Sequence, residues 1–228
     1  MNFVGIEKLS LVDYDEKIAC TLFMEGCNFK CPFCHNSQLV NKENNHEIPW
    51  EEIKDFLKKR VGVMDAVVIT GGEPTLMPDL EDKIRDVKSF GYEVKLDTNG
   101  TNPKLIKKLI NEGLVDYIAM DIKSSPETYA DVAGILVNLK NIEETKNFLI
   151  ENHVDYEFRT TLVEEFHNIE VIKKIGEFIK DAKKYRLQKF TDSETCIKRG
   201  LHPVNKENAL QMKNVLLNYI NDVELRSY

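Results

Sequence analysis

Short apolar runs recur along the chain, and each is followed by a stretch with apolar positions three and four apart. Residues 18–24 are apolar enough for a buried strand. Residues 66–70 (AVVIT), 93–97 (EVKLD), 116–121 (DYIAMD), 155–161 (DYEFRTT) and 185–190 continue the series. Helical patterns lie between them. Ile53, Phe56, Leu57 and Arg60 keep the 3.6-residue spacing of one helix face. Asn102-Pro103 reads as an N-cap followed by proline at the first helical position, and Ser125-Pro126 repeats the device. Asn168 caps a helix carrying Ile169, Ile172, Ile175 and Ile179 on one face. A last helix at about 206–220 carries Leu210, Val215 and Leu216. Strands alternating with helices pair in parallel through right-handed crossovers. Six such units fit 228 residues. The expected fold is therefore α/β, an incomplete (β/α)6 partial TIM barrel. It forms a single domain over residues 1–228, with its core at about 16–190 and a C-terminal helix at about 205–220.

Polar residues interrupt this pattern in a regular way. Side chains alternate along a strand. Lys95, Asp97 and Asn99 therefore share one face, as do Tyr117, Ala119, Asp121 and Lys123, and again Glu157, Arg159 and Thr161. Closed barrels fill their interior with branched apolar side chains. Here three consecutive strands point charges inward if helices cover the apolar faces. Buried charges persist when they are paired or meet a ligand. Lys95, Lys123 and Arg159 can balance Asp97, Asp121 and Glu157 in a polar lumen that receives a charged ligand. The plainer reading makes some of these faces solvated strand ends.

The net charge of −7 and pI near 5.4 argue against a nucleic-acid partner, which needs a basic surface, and against docking on anionic lipid. No apolar run approaches the roughly 20 residues of a membrane span. Residues 1–10 lack the basic start and apolar stretch of a signal peptide, so a cytoplasmic protein is expected.

Three of the five cysteines fall within eight residues, as Cys27-Asn-Phe-Lys-Cys31-Pro-Phe-Cys34-His35. An odd, clustered set reads as ligation rather than a disulfide frame. The triplet follows the first expected strand, at the end where parallel barrels carry active sites. Three thiolates on a short loop suit three irons of a cubane. An all-cysteine cluster normally takes four, so the missing ligand points to catalysis rather than simple electron transfer. The alternative is structural zinc with His35 as fourth ligand, although adjacent Cys34 and His35 are awkward for tetrahedral chelation. Cys20 reads as a small core hydrophobe, Cys196 as a free thiol, and His167 as a surface residue. Gly71-Gly72-Glu73-Pro74 follows the second strand. Its glycines let backbone approach a ligand closely, and Glu73 can accept from an ammonium group.

The CxxxCxxC triplet after the first strand, with Phe33 before the third cysteine, resembles the signature of the radical S-adenosylmethionine (SAM) superfamily. Other runs are similar and in the same order: Cys31-Pro-Phe-Cys34-His35-Asn36, Thr70-Gly-Gly-Glu-Pro-Thr75, Leu96-Asp97-Thr98-Asn99-Gly100, Asp121-Ile122-Lys123 and Phe158-Arg159-Thr160-Thr161. The resemblance spans about residues 5–190. It is closest to the activating proteins of glycyl radical enzymes, first those of anaerobic ribonucleoside-triphosphate reductase and more distantly pyruvate formate-lyase activating enzyme. It implies a [4Fe–4S] cluster on Cys27, Cys31 and Cys34. It also implies reductive cleavage of S-adenosyl-L-methionine to a 5′-deoxyadenosyl radical that takes hydrogen from a partner's glycine. The implied SAM contacts are Phe33, His35, Gly71, Gly72, Glu73, Pro74, Asp97, Asn99, Asp121, Lys123 and Arg159. Asp97, Thr98, Asp121 and the backbone of Ala119 resemble a monovalent cation site. The implied partners are a glycyl radical enzyme, the anaerobic ribonucleoside-triphosphate reductase, and an electron donor such as flavodoxin or ferredoxin. Two readings stand beside this one: a radical SAM enzyme with a small-molecule substrate, and a non-catalytic zinc-binding interaction module. A side chain at Gly72 is expected to weaken SAM binding with the cluster intact.

Overall fold

A computed structural model describes residues 2–41, 46–151 and 153–228. Eight strands form one sheet in sequence order. β1 (Phe3–Ser10) runs antiparallel to β2 (Ala19–Met24). From β2 onward every pairing is parallel, through β3 (Ala66–Gly71), β4 (Glu93–Thr98), β5 (Tyr117–Asp121), β6 (Asp155–Leu162), β7 (Lys184–Lys189) and β8 (Asp222–Arg226). Two helices, α1 (Ser37–Asn41) and α2 (Trp50–Lys58), precede β3. Then come α3 (Leu80–Ser89), α4 (Pro103–Asn111), α5 (Tyr129–Ala133), α6 (Leu139–Ile150), α7 (Ile169–Phe178) and α8 (Lys206–Leu216) in the later crossovers. No helix among the described residues is long and apolar enough to cross a membrane.

All six expected strands form, within a residue of the expected ends. β1 and β8 flank them and were not expected. Both are edge strands, and neither reads as a continuous apolar run. β1 exposes Glu7, Lys8 and Leu9 in succession. β1 and β8 do not pair with each other, so the barrel stays partial. Arg226 on β8 spans the gap by an ion pair of 2.8 Å to Asp15, in the β1–β2 connection.

The helix-facing parity of the strands is mostly apolar. Val67 and Ile69, Val94 and Leu96, Ile118 and Met120, and Tyr156 and Phe158 are buried against Ile53 and Leu57 of α2, Leu80, Ile84 and Val87 of α3, Ile106 and Leu109 of α4, and Ile172 and Ile175 of α7. Each such side chain contributes about 1.5–3 kcal/mol by leaving water. The opposite parity faces the lumen. Its floor is a separate cluster of Tyr14, Ala19, Ala66, Val68 and Tyr117. Above it Arg226 grips Glu157 through two bonds of 3.2 and 3.1 Å. Lys95 stands 3.9 Å from both Glu157 and Asp97. The lumen charges are thus balanced as expected, with Arg226 added to the set.

Asn102 and Asn168 cap their helices, accepting from Leu105 N at 3.3 Å and Val171 N at 3.0 Å. Ser125-Pro126 does not repeat the device. The Thr128 amide turns back onto the Ser125 carbonyl at 3.1 Å, and the helix begins only at Tyr129. In α8 the buried stripe is Ala209, Met212 and Leu216, while Leu210 is exposed.

Candidate active site

The carboxyl ends of the parallel strands open onto a cleft of about 890 Å³, counting its mouth. Cys27, Cys31, Phe33, Cys34 and His35 form one wall. Gly71, Gly72, Asp97, Thr98, Asn99, Asp121, Lys123 and Arg159 form the rest, joined by Phe29, Val40 and Thr161, which were not among the expected site residues. Of the expected site residues, Glu73, Pro74 and Ala119 stay outside.

Glu73 is 1 % exposed. Its carboxylate accepts from Thr75 N at 3.1 Å, Thr75 Oγ1 at 2.5 Å, Thr98 Oγ1 at 2.7 Å and Asn99 N at 2.6 Å. Burial pushes its pKa up, against the pull of these four donors. Both oxygens are engaged, and Glu73 is not part of the cleft lining. It braces the turn after β3 against the end of β4. Pro74 opens a buried 3-10 turn, Pro74–Leu76. Ala119 is buried within β5, in register with Asp97.

The charged wall is one connected network. Arg159 donates from Nη1 to Asp97 at 3.0 Å and from Nε to Asp121 at 3.0 Å. Lys123 reaches the other Asp121 oxygen at 2.9 Å. Burial works against the Asp121 charge, but the two cations prevail and hold its pKa at about 2. The same partners push Lys123 and Arg159 above their usual ranges in spite of burial. A guanidinium thus stands between Asp97 and Asp121, two of the residues expected around a monovalent cation. Within this wall Asp97 Oδ1 is buried without a hydrogen bond.

The cysteine loop leans on these elements. Asn99 donates to Asn28 at 2.8 Å, and Asn28 donates to Thr101 at 2.9 Å. Lys30 N bonds the Ala133 carbonyl at 2.8 Å. Glu73 N donates to the Gly26 carbonyl at 2.8 Å, directly before Cys27. A Cβ on Gly72 would lie 1.9 Å from that carbonyl oxygen, and Gly71 holds φ +118 against Met24. These contacts explain both glycines. Burial pushes the Cys27 thiol up to about 12 and raises Cys31 and Cys34, while the Lys123 charge opposes it at all three.

One expectation about a single residue changes, while Cys196 is the free thiol expected. His167 is buried, not at the surface. Its Nδ1 accepts from Val163 N at 3.0 Å, and its Nε2 stands 3.0 Å from the Lys123 carbonyl, so it fixes the backbone of a cleft residue. Burial lowers its pKa, which keeps the ring neutral for that bridge. Its place just before the Asn168 cap was the available signal. Cys196 is also buried, with Sγ 3.8 Å from His35 Nδ1.

Three thiols and a charged wall share one cleft. The Radical SAM superfamily profile matches residues 21–179. The chain belongs to the radical SAM superfamily. That family implies a [4Fe–4S] cluster and SAM. A relative from Methanocaldococcus jannaschii, assigned as a glycyl-radical enzyme activating enzyme, is 36% identical over 236 residues, covering 98% of this chain and 95% of that one. A radical SAM methyltransferase from Sphaerobacter thermophilus superposes with a TM-score of 0.74 at 12% identity, covering 93% of this chain and 67% of that one. A domain of pyruvate-formate lyase-activating enzyme from Bacteroides vulgatus does so with 0.54 at 21%, covering 72% and 99%. At these identities the two structures speak for the fold. The radical SAM chain is accordingly an enzyme of this class, with full-length kinship to the glycyl-radical activating group.

The donor set suits the cluster better than a single ion. Among the described residues, no three His, Cys, Asp or Glu side chains gather as one bound ion requires. Zinc on the triplet with His35 is therefore not favoured. A cubane is different, because each thiolate meets a different iron.

Proposed function

We propose that this radical SAM enzyme is a glycyl radical activase whose partner is an anaerobic ribonucleoside-triphosphate reductase. Cys27, Cys31 and Cys34 hold one [4Fe–4S] cluster. The observation that carries this reading is the convergence of three thiols, with no fourth in the lining, on a cleft whose other wall is charged. Full-length kinship to an assigned activating enzyme supports the choice of partner class.

A cluster held by Cys27, Cys31 and Cys34 would supply the electron for reductive cleavage of SAM, the chemistry that hydrogen abstraction from a partner's glycine requires. The chain's own residues orient the reactants. Backbone at Gly71 and Gly72 approaches the amino end of SAM. Asp97 Oδ1, buried and unmet, is a natural acceptor for an ammonium group. Lys123 and Arg159 face the carboxylate and ribose, with Asn99 beside them. Phe33 and His35 pack beside the cluster wall and exclude water. Electrons come from a small carrier such as flavodoxin or ferredoxin.

The test is anaerobic reconstitution with iron and sulfide, reduction by dithionite, and addition of SAM with and without the candidate reductase. We expect 5′-deoxyadenosine in both reactions and a glycyl radical EPR doublet only with the reductase. Product without the doublet would overturn the activase reading in favour of a small-molecule substrate. Absence of a cluster would overturn the site assignment.

A further inference from the structure

The connection between β7 and α8 passes along the cysteine loop and is bonded to it. The Ile197 amide donates to the Cys34 carbonyl at 3.3 Å, and the Lys198 amide to the Pro32 carbonyl at 2.7 Å. In return the Ser37 amide donates to the Thr195 carbonyl at 3.3 Å. Residues 195–198 thus lie along residues 32–37 as a strap. Among the described residues, these are the bonds that reach this half of the loop from another part of the backbone. Beneath the strap Cys196 is buried against His35. Phe190, which leads into the strap, packs its ring 6.4 Å from Phe33 and 5.5 Å from His35.

We propose that the 195–198 strap is a positioning element that holds Cys34 ready for the cluster and slows the cluster's release. The inference rests on the cluster reading given above. A ligand loop must give up conformational freedom when it closes on its cluster. A loop already tied down by its backbone gives up less, and a cluster held by it is harder to open. The ties are amide N–H groups, so ordinary side-chain changes at 197 and 198 leave them in place, and only proline removes them.

Wild type, Lys198→Pro, Ile197→Pro and Lys198→Ala are loaded anaerobically and challenged with an iron chelator, and the decay of the cluster's visible absorbance is followed. Lys198→Pro and Ile197→Pro should lose the cluster about 2- to 10-fold faster, the range expected for one hydrogen bond. Lys198→Ala should match wild type. Equal rates in all four overturn the proposal, as does an alanine variant as fast as the proline ones. Should the proline variants fail to fold, hydrogen exchange on loaded wild type decides. Protected amides at Ile197 and Lys198 support the strap, and exchange at free-peptide rates overturns it. A wild type that takes up no cluster removes the underlying reading together with the strap's role. Unequal loading with equal release removes the strap's role alone.

Discussion

Gly72→Ala tests how the cleft is built. The added Cβ would stand 1.9 Å from the Gly26 carbonyl oxygen, about 1.1 Å short of the 3.0 Å that real Cβ contacts respect. The atom it strikes is backbone, so no rotamer change relieves it. Either the turn after β3 or the cysteine loop must move by about 1 Å. Two bonds are at stake, Gly72 N to Met24 O at 2.9 Å and Glu73 N to Gly26 O at 2.8 Å. A buried group left unmet costs about 1–3 kcal/mol. For a domain of this size that lowers Tm by about 2–12 °C. Because Gly26 precedes Cys27, the displacement is delivered to the first cluster ligand. Misplacement by about 1 Å can reduce a rate roughly 100-fold. Iron per chain, visible absorbance, SAM affinity and Tm are the assays. The expected result is loss of iron together with SAM affinity, which replaces the expectation that the cluster survives. A variant with full iron and weakened SAM binding would refute the backbone-clash argument. One with both intact would refute the role of the turn.

Other expectations follow from the same geometry. Glu73→Gln leaves an amide where four donors converge, so thermal unfolding should show a loss of about 1–3 kcal/mol; an unchanged Tm would count against the brace. Arg159→Lys cannot span Asp97 and Asp121 at once; SAM affinity should fall about tenfold with iron content unchanged, and loss of iron instead would place Arg159 in cluster binding. Each thiol must lose its proton to bind iron, and burial raises all three. Cluster uptake should therefore improve as pH rises, by up to about tenfold per unit for each proton released, and a flat profile would refute this. Lys123→Met removes the charge that favours the thiolates and should move that profile to higher pH; an unmoved profile would show that Lys123 does not act on them.

The sequence carried the six central strands because burial on both faces makes such strands short apolar runs, as in AVVIT at 66–70. It also carried the lumen, because Lys95, Asp97, Asp121 and Arg159 stand at regular alternate positions. Edge strands escaped, since β1 is half-exposed and β8 buries Val223 alone. Glu73 stands in a motif at the cleft, while its side chain points into buried hydrogen bonds beside the lining. That direction is set by Thr75, Thr98 and the Asn99 amide, partners up to 26 residues away. The strap was hidden for a related reason: its contacts are peptide groups, which every residue carries alike.

The seam between β1 and β8 gives the barrel an adjustable girth. A fully paired barrel has its circumference set by its hydrogen-bond ladders, and widening it means breaking a ladder. Here the described strands make no ladder across the seam. What spans it is Arg226 reaching Asp15, whose side chain is 60% exposed. Such a contact yields to salt and to small displacements. The hoop is therefore closed at one point by a solvent-screened ion pair, and by ladders everywhere else among the described strands.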